Sequence, residues 1–476
     1  MSVGGVNTGL TDSDGATEAD IERELNIVNR IDRLPVTKFL ILFFVAAAMG
    51  EFFDLFGLNA VGITIAQIKA SLKLTPFQTT LVIVSAFIGM FFGSLISGYL
   101  ADKFGRKNLF LVTLAILSLG SLLTALAWNF TSMISARLLA GIGIGGDLPI
   151  VTAYLSELIP TRVRGKWWAY AGVIAILGYP IVGFLNIWLL NFGSGSWRYI
   201  YVLGAVIGLV VLWIRSGAPE SPRYYEMHRQ KEKARATMDY IELKVLQDYG
   251  RPLPQVDTKK PVEIVKQKAP LSEIFKKEYR WRTARATLLW VFHTVAFFGF
   301  ASFITLILIA KGFTIIRSVE FAGISSIGYL LGNLIFLALV ERVERGNLIA
   351  IFAVTGAISS IVLAITNSID LVILFSILIA AAGGEGAVLY LYTAELFPTR
   401  SRGTGSGFSF SMGRIVNVFS VLYIGLILAG NPALQLAFVA GSFIIVAIIG
   451  AVFRVKTSHL QLETISEYAE TTEEPT

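Results

Sequence analysis

Five ionisable side chains stand inside otherwise apolar runs: Asp54 in EFFDLFGL, Asp147 in GIGIGGDLPIV, His293 in WVFHTVAFF, Glu385 in AAGGEGAV and Arg414 in SMGRIVNV. Their chemistry is proton exchange and ion pairing. Carboxylates and an imidazole can take up and release protons when their surroundings alternate between wet and dry. A guanidinium is a permanent planar fork that matches carboxylate or phosphate oxygens two at a time. Neither a nucleophile–base pair nor a metal-ligand cluster accompanies them, so the chain does not read as an enzyme. It calls for no cofactor and no metal.

The elements that hold these residues are hydrophobic helices. The chain has 476 residues, 54% hydrophobic and 15% charged, where a soluble domain carries about 25% charged residues. Twelve apolar runs of about 20 residues, the length that crosses a hydrocarbon core, begin near Lys38, Thr79, Asn108, Thr131, Trp167, Trp197, Arg285, Val319, Asn347, Asp370, Thr404 and Pro432. A charge at the bilayer centre costs at least about 2.5 kcal/mol, so such residues face a bundle interior or a watery cavity. Residues 1–35 show no cleavable signal pattern, and the absence of cysteine excludes disulfides.

The net charge of +7 is topological. DKFGRK, PTRVRGK, ERVERGN, PTRSRG and the long segment from Arg215 to Arg282 fall on one side of the runs, and the loops on the other side carry few charges. The positive-inside bias places both termini and the long segment in the cytoplasm of a multi-pass protein of the cell membrane. Nucleic-acid binding is excluded as a use of this charge, because it sits in turns between apolar runs.

The chain also repeats itself. Seven of nine residues in ELIPTRVRG (157–165) recur in ELFPTRSRG (395–403), and LADKFGRKN (100–108) falls opposite LVERVERGN (339–347). In the same register Gly145-Gly146-Asp147 lies opposite Gly383-Gly384-Glu385, and Asp54 opposite His293. The expected organisation is a polar cytoplasmic tail (1–37), a six-helix bundle (38–215), a cytoplasmic linker with short helices (216–284), a second six-helix bundle (285–455) and a cytoplasmic tail (456–476). Two such halves are the plan of a secondary transporter, with its site near the midplane between them.

GYLADKFGRKN after the second run, RLLAGIGIGG in the fourth, PESPRYY after the sixth and the duplicated E-L-x-P-T-R-x-R-G resemble the major facilitator superfamily over both halves. The resemblance implies an all-α integral membrane fold of twelve transmembrane helices in two pseudo-symmetric bundles, functional as a monomer. It also implies a central cavity lined by the first, fourth, seventh and tenth helices, which carry four of the five intramembrane ionisable residues. Asp102 and Arg106 then belong to a cytoplasmic gate that locks the outward-facing state. Its matching network comprises Glu157, Arg162, Glu220, Arg223, Glu341, Arg345, Glu395 and Arg400. The glycines of RLLAGIGIGG let helices approach, with GMFFG at 89–93 as the partner surface. Arg137 either serves coupling, as the family pattern suggests, or snorkels to the outer interface.

Asp54 and Asp147 are the leading proton carriers, with Glu385 and His293 next; H+ is the expected driving ion and sodium the alternative. Arg414 points to an anionic cargo, unless it pairs internally with Glu385 or Asp147. Asn417, Tyr390 and Tyr392 are candidates to add hydrogen bonds, and Trp290, Phe298 and Phe53 to wall the pocket. GIGIGGDLPIVTAYLSE looks like the fourth helix of phosphate:proton symporters, but His293-Thr294 replaces the acid those carriers have in the seventh helix. With S-M-G-R, the region is also similar to carriers of aromatic acids, nicotinate and other organic ions. PESPRYY is shared with sugar porters, whose sites depend on Gln and Asn, which LLWVFHTVAFFGFASFI lacks. The expected function is proton-coupled transport of a small organic anion of carboxylate type. Sugar and phosphate symport are the alternatives, and a transporter-fold sensor or receptor is the alternative of another class.

Overall fold

The computed structural model describes residues 26–193, 195–256, 271–397 and 401–452. In hydrocarbon a backbone can hydrogen-bond only to itself, so apolar runs of this length fold as helices. In chain order these are α1 (Lys38–Ser71), α2 (Pro76–Phe104), α3 (Arg106–Leu126), α4 (Phe130–Leu158) and α5, made of Thr161–Ile176 and Gly178–Leu189. Then come α6 (Trp197–Ser216), α7 (Arg280–Ala301 and Ile304–Ala310), α8 (Ile315–Ser325 and Ile327–Leu339) and α9 (Arg345–Ile365). The last are α10 (Ile369–Ala382 and Glu385–Leu396), α11 (Arg402–Leu426) and α12 (Pro432–Val452). Among the described residues eleven of the twelve are long and apolar enough to cross a membrane by length and composition, and the 29-residue α4 packs in their midst.

Most helices start a few residues ahead of the apolar runs, because capping residues are polar. Thr75 and Gln78 form a capping box at the start of α2, and Asn129 and Ser132 another at the start of α4. The outer surface is inverted for life in lipid, with Leu42, Leu95, Ile365 and Ile427 exposed. Trp213 and Trp281 stand exposed at the ends of α6 and α7 that face the basic loops, and Trp128 and Trp188 on the opposite side, where amphipathic rings mark the bilayer interfaces.

Packing repeats as the sequence does. In the first half α1 packs on α5 and α6, α2 on α4, and α3 on α4 and α6; in the second α7 packs on α11 and α12, α8 on α10, and α9 on α10 and α12. The α2–α4 contact is a glycine zipper. A Cβ on Gly89 or Gly93 would strike the α4 backbone at Leu138 or Ile142, and one on Gly141 or Gly145 would strike α2 at Ala86 or Met90. Lipid provides no hydrophobic drive between helices, so this backbone proximity supplies the contact.

The segment between the halves holds Pro222–Met227, Lys231–Tyr249 and a short 3₁₀ turn, Leu271–Phe275. Lys231–Tyr249 buries Ala234, Met238, Ile241 and Val245, spaced three and four apart on one face. It packs on α1 and on the short helix Ile27–Asp32. Arg30 pairs there with Glu242 (2.7 Å) and Asp239 (2.5 Å), and Asp248 Oδ2 accepts the Phe39 N–H at 2.6 Å, at the start of α1.

The halves meet through α1 with α7, α2 with α11, and α5 with α8. Their polar and aromatic contacts concentrate on the side away from the basic loops. Thr305 donates to the Gly62 carbonyl (2.9 Å) and Thr80 to the Gly425 carbonyl (3.1 Å). Phe87 meets Phe298 at 4.9 Å between ring centroids, and Tyr179 meets Tyr329 at 4.4 Å.

Candidate functional site

α1 presents Glu51 and Asp54 three residues apart, hence on one face, and both are buried. α1 can lie this close to α3 and α4 because residue 50 is glycine. A Cβ there would stand 2.7 Å from the Phe110 ring and 3.1 Å from Asp147 Oδ2. Asp147, fully buried on α4, accepts a hydrogen bond of 3.3 Å from Thr113 on α3. Asp54 and Asp147 act directly on one another, with Glu51 in electrostatic reach of both. Glu51 Oε1, Asp54 Oδ1 and Asp147 Oδ2 are buried without a hydrogen-bond partner.

The positive charge facing these acids comes from a residue missing from the expected set. Arg215, 2% exposed near the end of α6, lays its guanidinium carbon 3.1 Å from the Phe110 ring centroid and 5.8 Å from that of Tyr154. Its charge acts on Asp147, Tyr154 and Glu51, and its Nη1 and Nη2 have no hydrogen-bond partner. In sequence Arg215 passes for loop charge at a helix end. The available signal was the repeat, whose register sets Arg454 opposite it; Arg454 lies outside the described residues.

The second half repeats the arrangement with different chemistry. His293 Nδ1 and Glu385 Oε1 are 2.7 Å apart on α7 and α10, as Asp54 and Asp147 face each other on α1 and α4. Arg414 on α11 rests 4.4 Å over the Phe410 ring, with Nη1 unpartnered. Its charge reaches Tyr390 and, across the boundary between halves, Asp54. The alternative weighed for it, an internal pair with Glu385 or Asp147, is not formed among the described contacts. Beside it Trp290, Tyr390 and Phe410 form an aromatic box, with Trp290 4.7 Å from Tyr390 and 4.9 Å from Phe410 and the last two 5.5 Å apart. Trp290 Nε1 is fixed by Thr393 at 3.0 Å, and Tyr390 is half exposed.

Other expected members lie elsewhere. Phe53, fully buried, packs against Gly204 and Gly208 of α6, on a different face of α1 from Asp54. Tyr392 is 1% exposed, because residues two apart on a helix face in nearly opposite directions and Tyr390 holds the box side. Phe298 belongs to the seal with Phe87. Asn417 is buried beside Ser420, its backbone carbonyl accepting the Ser420 hydroxyl at 3.0 Å. Arg137 is 1% exposed, so it does not snorkel. It faces the Tyr201 ring at 5.7 Å, about 15 Å along α4 from Asp147 at 1.5 Å per residue.

At the basic side Arg106 pairs with Glu157 (3.3 Å) and, in the matching position, Arg345 with Glu395 (3.5 Å, outside hydrogen-bond geometry). Glu220 accepts the N–H groups of Arg106, Lys107 and Ser221 at 2.9 to 3.1 Å, satisfying the free N-terminus of α3. Burial still pushes the Glu220 carboxyl above its ordinary range, with those N–H groups pulling it back. Arg162 donates to the Leu34 carbonyl and, among the described residues, not to an acid. Glu341 is exposed and the Arg223 Nε finds no partner. The Asp102 side chain and Arg400 lie outside what is described.

The profile of the sugar (and other) transporter family matches residues 36–469. The chain belongs to that family. It is thus a membrane transporter of the major facilitator superfamily and not an enzyme. A metabolite transport protein of Bacillus subtilis, YyaJ, is 32% identical over 417 residues, 87% of this chain and 91% of that one. The niacin transporter NiaP of Acinetobacter baylyi is 26% identical over 89% of this transporter and 95% of its own length. The fold is that of the xylose transporter XylE from E. coli in a partially occluded inward open conformation: TM-score 0.71, 16% identity, 89% of this chain and 100% of that one.

Proposed function

We propose that this transporter couples protons to the movement of a small organic anion of carboxylate type, with a planar ring as its preferred body. The observation that carries this reading is the aromatic box of Trp290, Tyr390 and Phe410 beside the unpartnered Nη1 of Arg414. A flat ring stacks on the exposed Tyr390 side of this cluster while its carboxylate takes the guanidinium. The niacin relative moves a molecule of this kind. Asp54 and Asp147 are the coupling acids, with His293 and Glu385 as a second pair. Arg106–Glu157 and Arg345–Glu395 brace the ends that separate when the site opens. The driving ion is H+, the basic side with both termini is cytoplasmic, the site of action is the cell membrane, and the monomer is the working unit.

Sugar symport is the second reading, favoured by the family and by the xylose transporter's fold. Against it, the buried amides of Asn59, Gln67 and Gln435 are spent on protein groups. The test is uptake into proteoliposomes under an inward proton gradient, with labelled nicotinate, benzoate, 4-hydroxybenzoate, xylose and phosphate. Gradient-driven accumulation of a ring carboxylate supports the reading. Accumulation of xylose or phosphate alone replaces it, and binding without flux indicates a sensor.

A further inference from the structure

Resting on the reading just given, the inference concerns how many protons accompany each anion. On that reading the transport chamber is the buried site of three acids, Glu51 and Asp54 of α1 and Asp147 of α4, and two permanent cations, Arg215 from α6 and Arg414 from α11. Among the described residues the uncharged groups about these acids are Thr113 of α3 and Tyr390 of α10, with Tyr154 of α4 against Arg215. The His293–Glu385 pair, 2.7 Å apart on α7 and α10, is counted in this proposal as sharing one proton and so as neutral. Arg137 lies apart, with Tyr201 as its neighbour. With every acid ionised the chamber holds one negative charge too many. One proton shared by the interacting Asp54–Asp147 pair removes the excess and gives a partner to carboxylate oxygens that have none.

We propose that Arg215 is the fixed counter-ion that brings the chamber to neutrality with one proton when empty, so that a monoanionic cargo enters with one further proton and the transport cycle moves no net charge. A carrier closing over a dry chamber crosses most readily without an unbalanced charge. The empty form crosses with one shared proton and the loaded form with two protons and the anion. The difference is one proton per carboxylate.

The test uses the full-length transporter in proteoliposomes, with the ring carboxylate of the panel that accumulates best. Uptake is measured with a pH gradient and the potential clamped to zero by valinomycin and equal potassium, and with a potassium diffusion potential at equal pH. Transport current on a solid-supported membrane is measured alongside. The expected result is acceleration by the pH gradient, a change of less than twofold with potential of either sign, and no current. Gradient-driven uptake with an anion-dependent current, or a potential-driven change in accumulation, overturns the electroneutral cycle and leaves the proton-coupled reading standing. No gradient-driven uptake of any carboxylate removes both. Arg215→Gln separates a counter-ion from a packing role, because losing a positive charge lets the acids hold protons more readily. Half-maximal uptake should move at least one pH unit higher, still without current, while Arg215→Lys keeps the wild-type profile. An unmoved profile in a folded, active Arg215→Gln protein removes Arg215 from the proposal.

Discussion

Replacing Arg414 by Gln keeps a polar side chain of part of its length while removing the charge and the fork. In the structure the guanidinium rests 4.4 Å over the Phe410 ring, with Nη1 buried and without a hydrogen-bond partner. A charge-assisted hydrogen bond contributes about 1.5–3 kcal/mol. Arg414 is partly exposed in this conformation, so solvent screening argues for the lower end, and a bidentate pair should be worth about 2–3 kcal/mol in all. At 1.4 kcal/mol per decade that is about a 30- to 150-fold weaker Kd for the carboxylate. The assay is calorimetric titration of purified Arg414→Gln and wild type, with xylose as the uncharged control. A carboxylate affinity within threefold of wild type in a folded variant would refute the assignment of Arg414 to the cargo.

Three further outcomes follow from the geometry. Gly50→Ala forces a methyl against the buried Phe110 and Asp147, and overpacking of this kind costs about 1–3 kcal/mol; thermal unfolding in detergent should fall, and an unchanged Tm would mean that α1 does not lie where described. In double-mutant cycles Arg106 and Glu157 should couple by about 1 kcal/mol or more, and Arg345 and Glu395 by less, because their pair is longer and out of hydrogen-bond geometry. Burial raises the Glu220 carboxyl, so the folded protein binds that proton more readily than the unfolded chain and gains stability as pH falls through the raised value towards the ordinary carboxylate range; Glu220→Gln lacks this component, so wild type should improve relative to the variant on acidification, and a relative loss would contradict the sign.

Much of the site was legible because the chain states it twice. The register that set Asp54 against His293 and Asp147 against Glu385 is the same register in which α1 and α4 of one half match α7 and α10 of the other. The glycines of GMFFG and RLLAGIGIGG could be paired on spacing alone, because close backbones have few sequence solutions. Facing was harder to read. Phe53 and Tyr392 neighbour or nearly neighbour Asp54 and Tyr390 in sequence, yet a helix turns about 100° per residue and carries them to other faces. Arg215 escaped because a basic residue closing an apolar run is ordinarily topology charge, and only the fold turns it inward over Phe110. Which members of the expected gate network pair was not legible: Glu341 is the acid in register with Asp102, yet Arg345 turns to Glu395.

Buried acids that charge and discharge as the halves rock are the centre of this account, and Asp147, fully enclosed between Gly50, Thr113 and Asp54, is its most exacting case. The direct measurement is the accumulation ratio of a ring carboxylate in proteoliposomes under a fixed inward proton gradient, wild type beside Asp147→Asn. The wild-type protein should concentrate the anion against its gradient, and the variant should reach equal concentrations on both sides while still exchanging labelled for unlabelled substrate. Undiminished uphill accumulation by Asp147→Asn would contradict it.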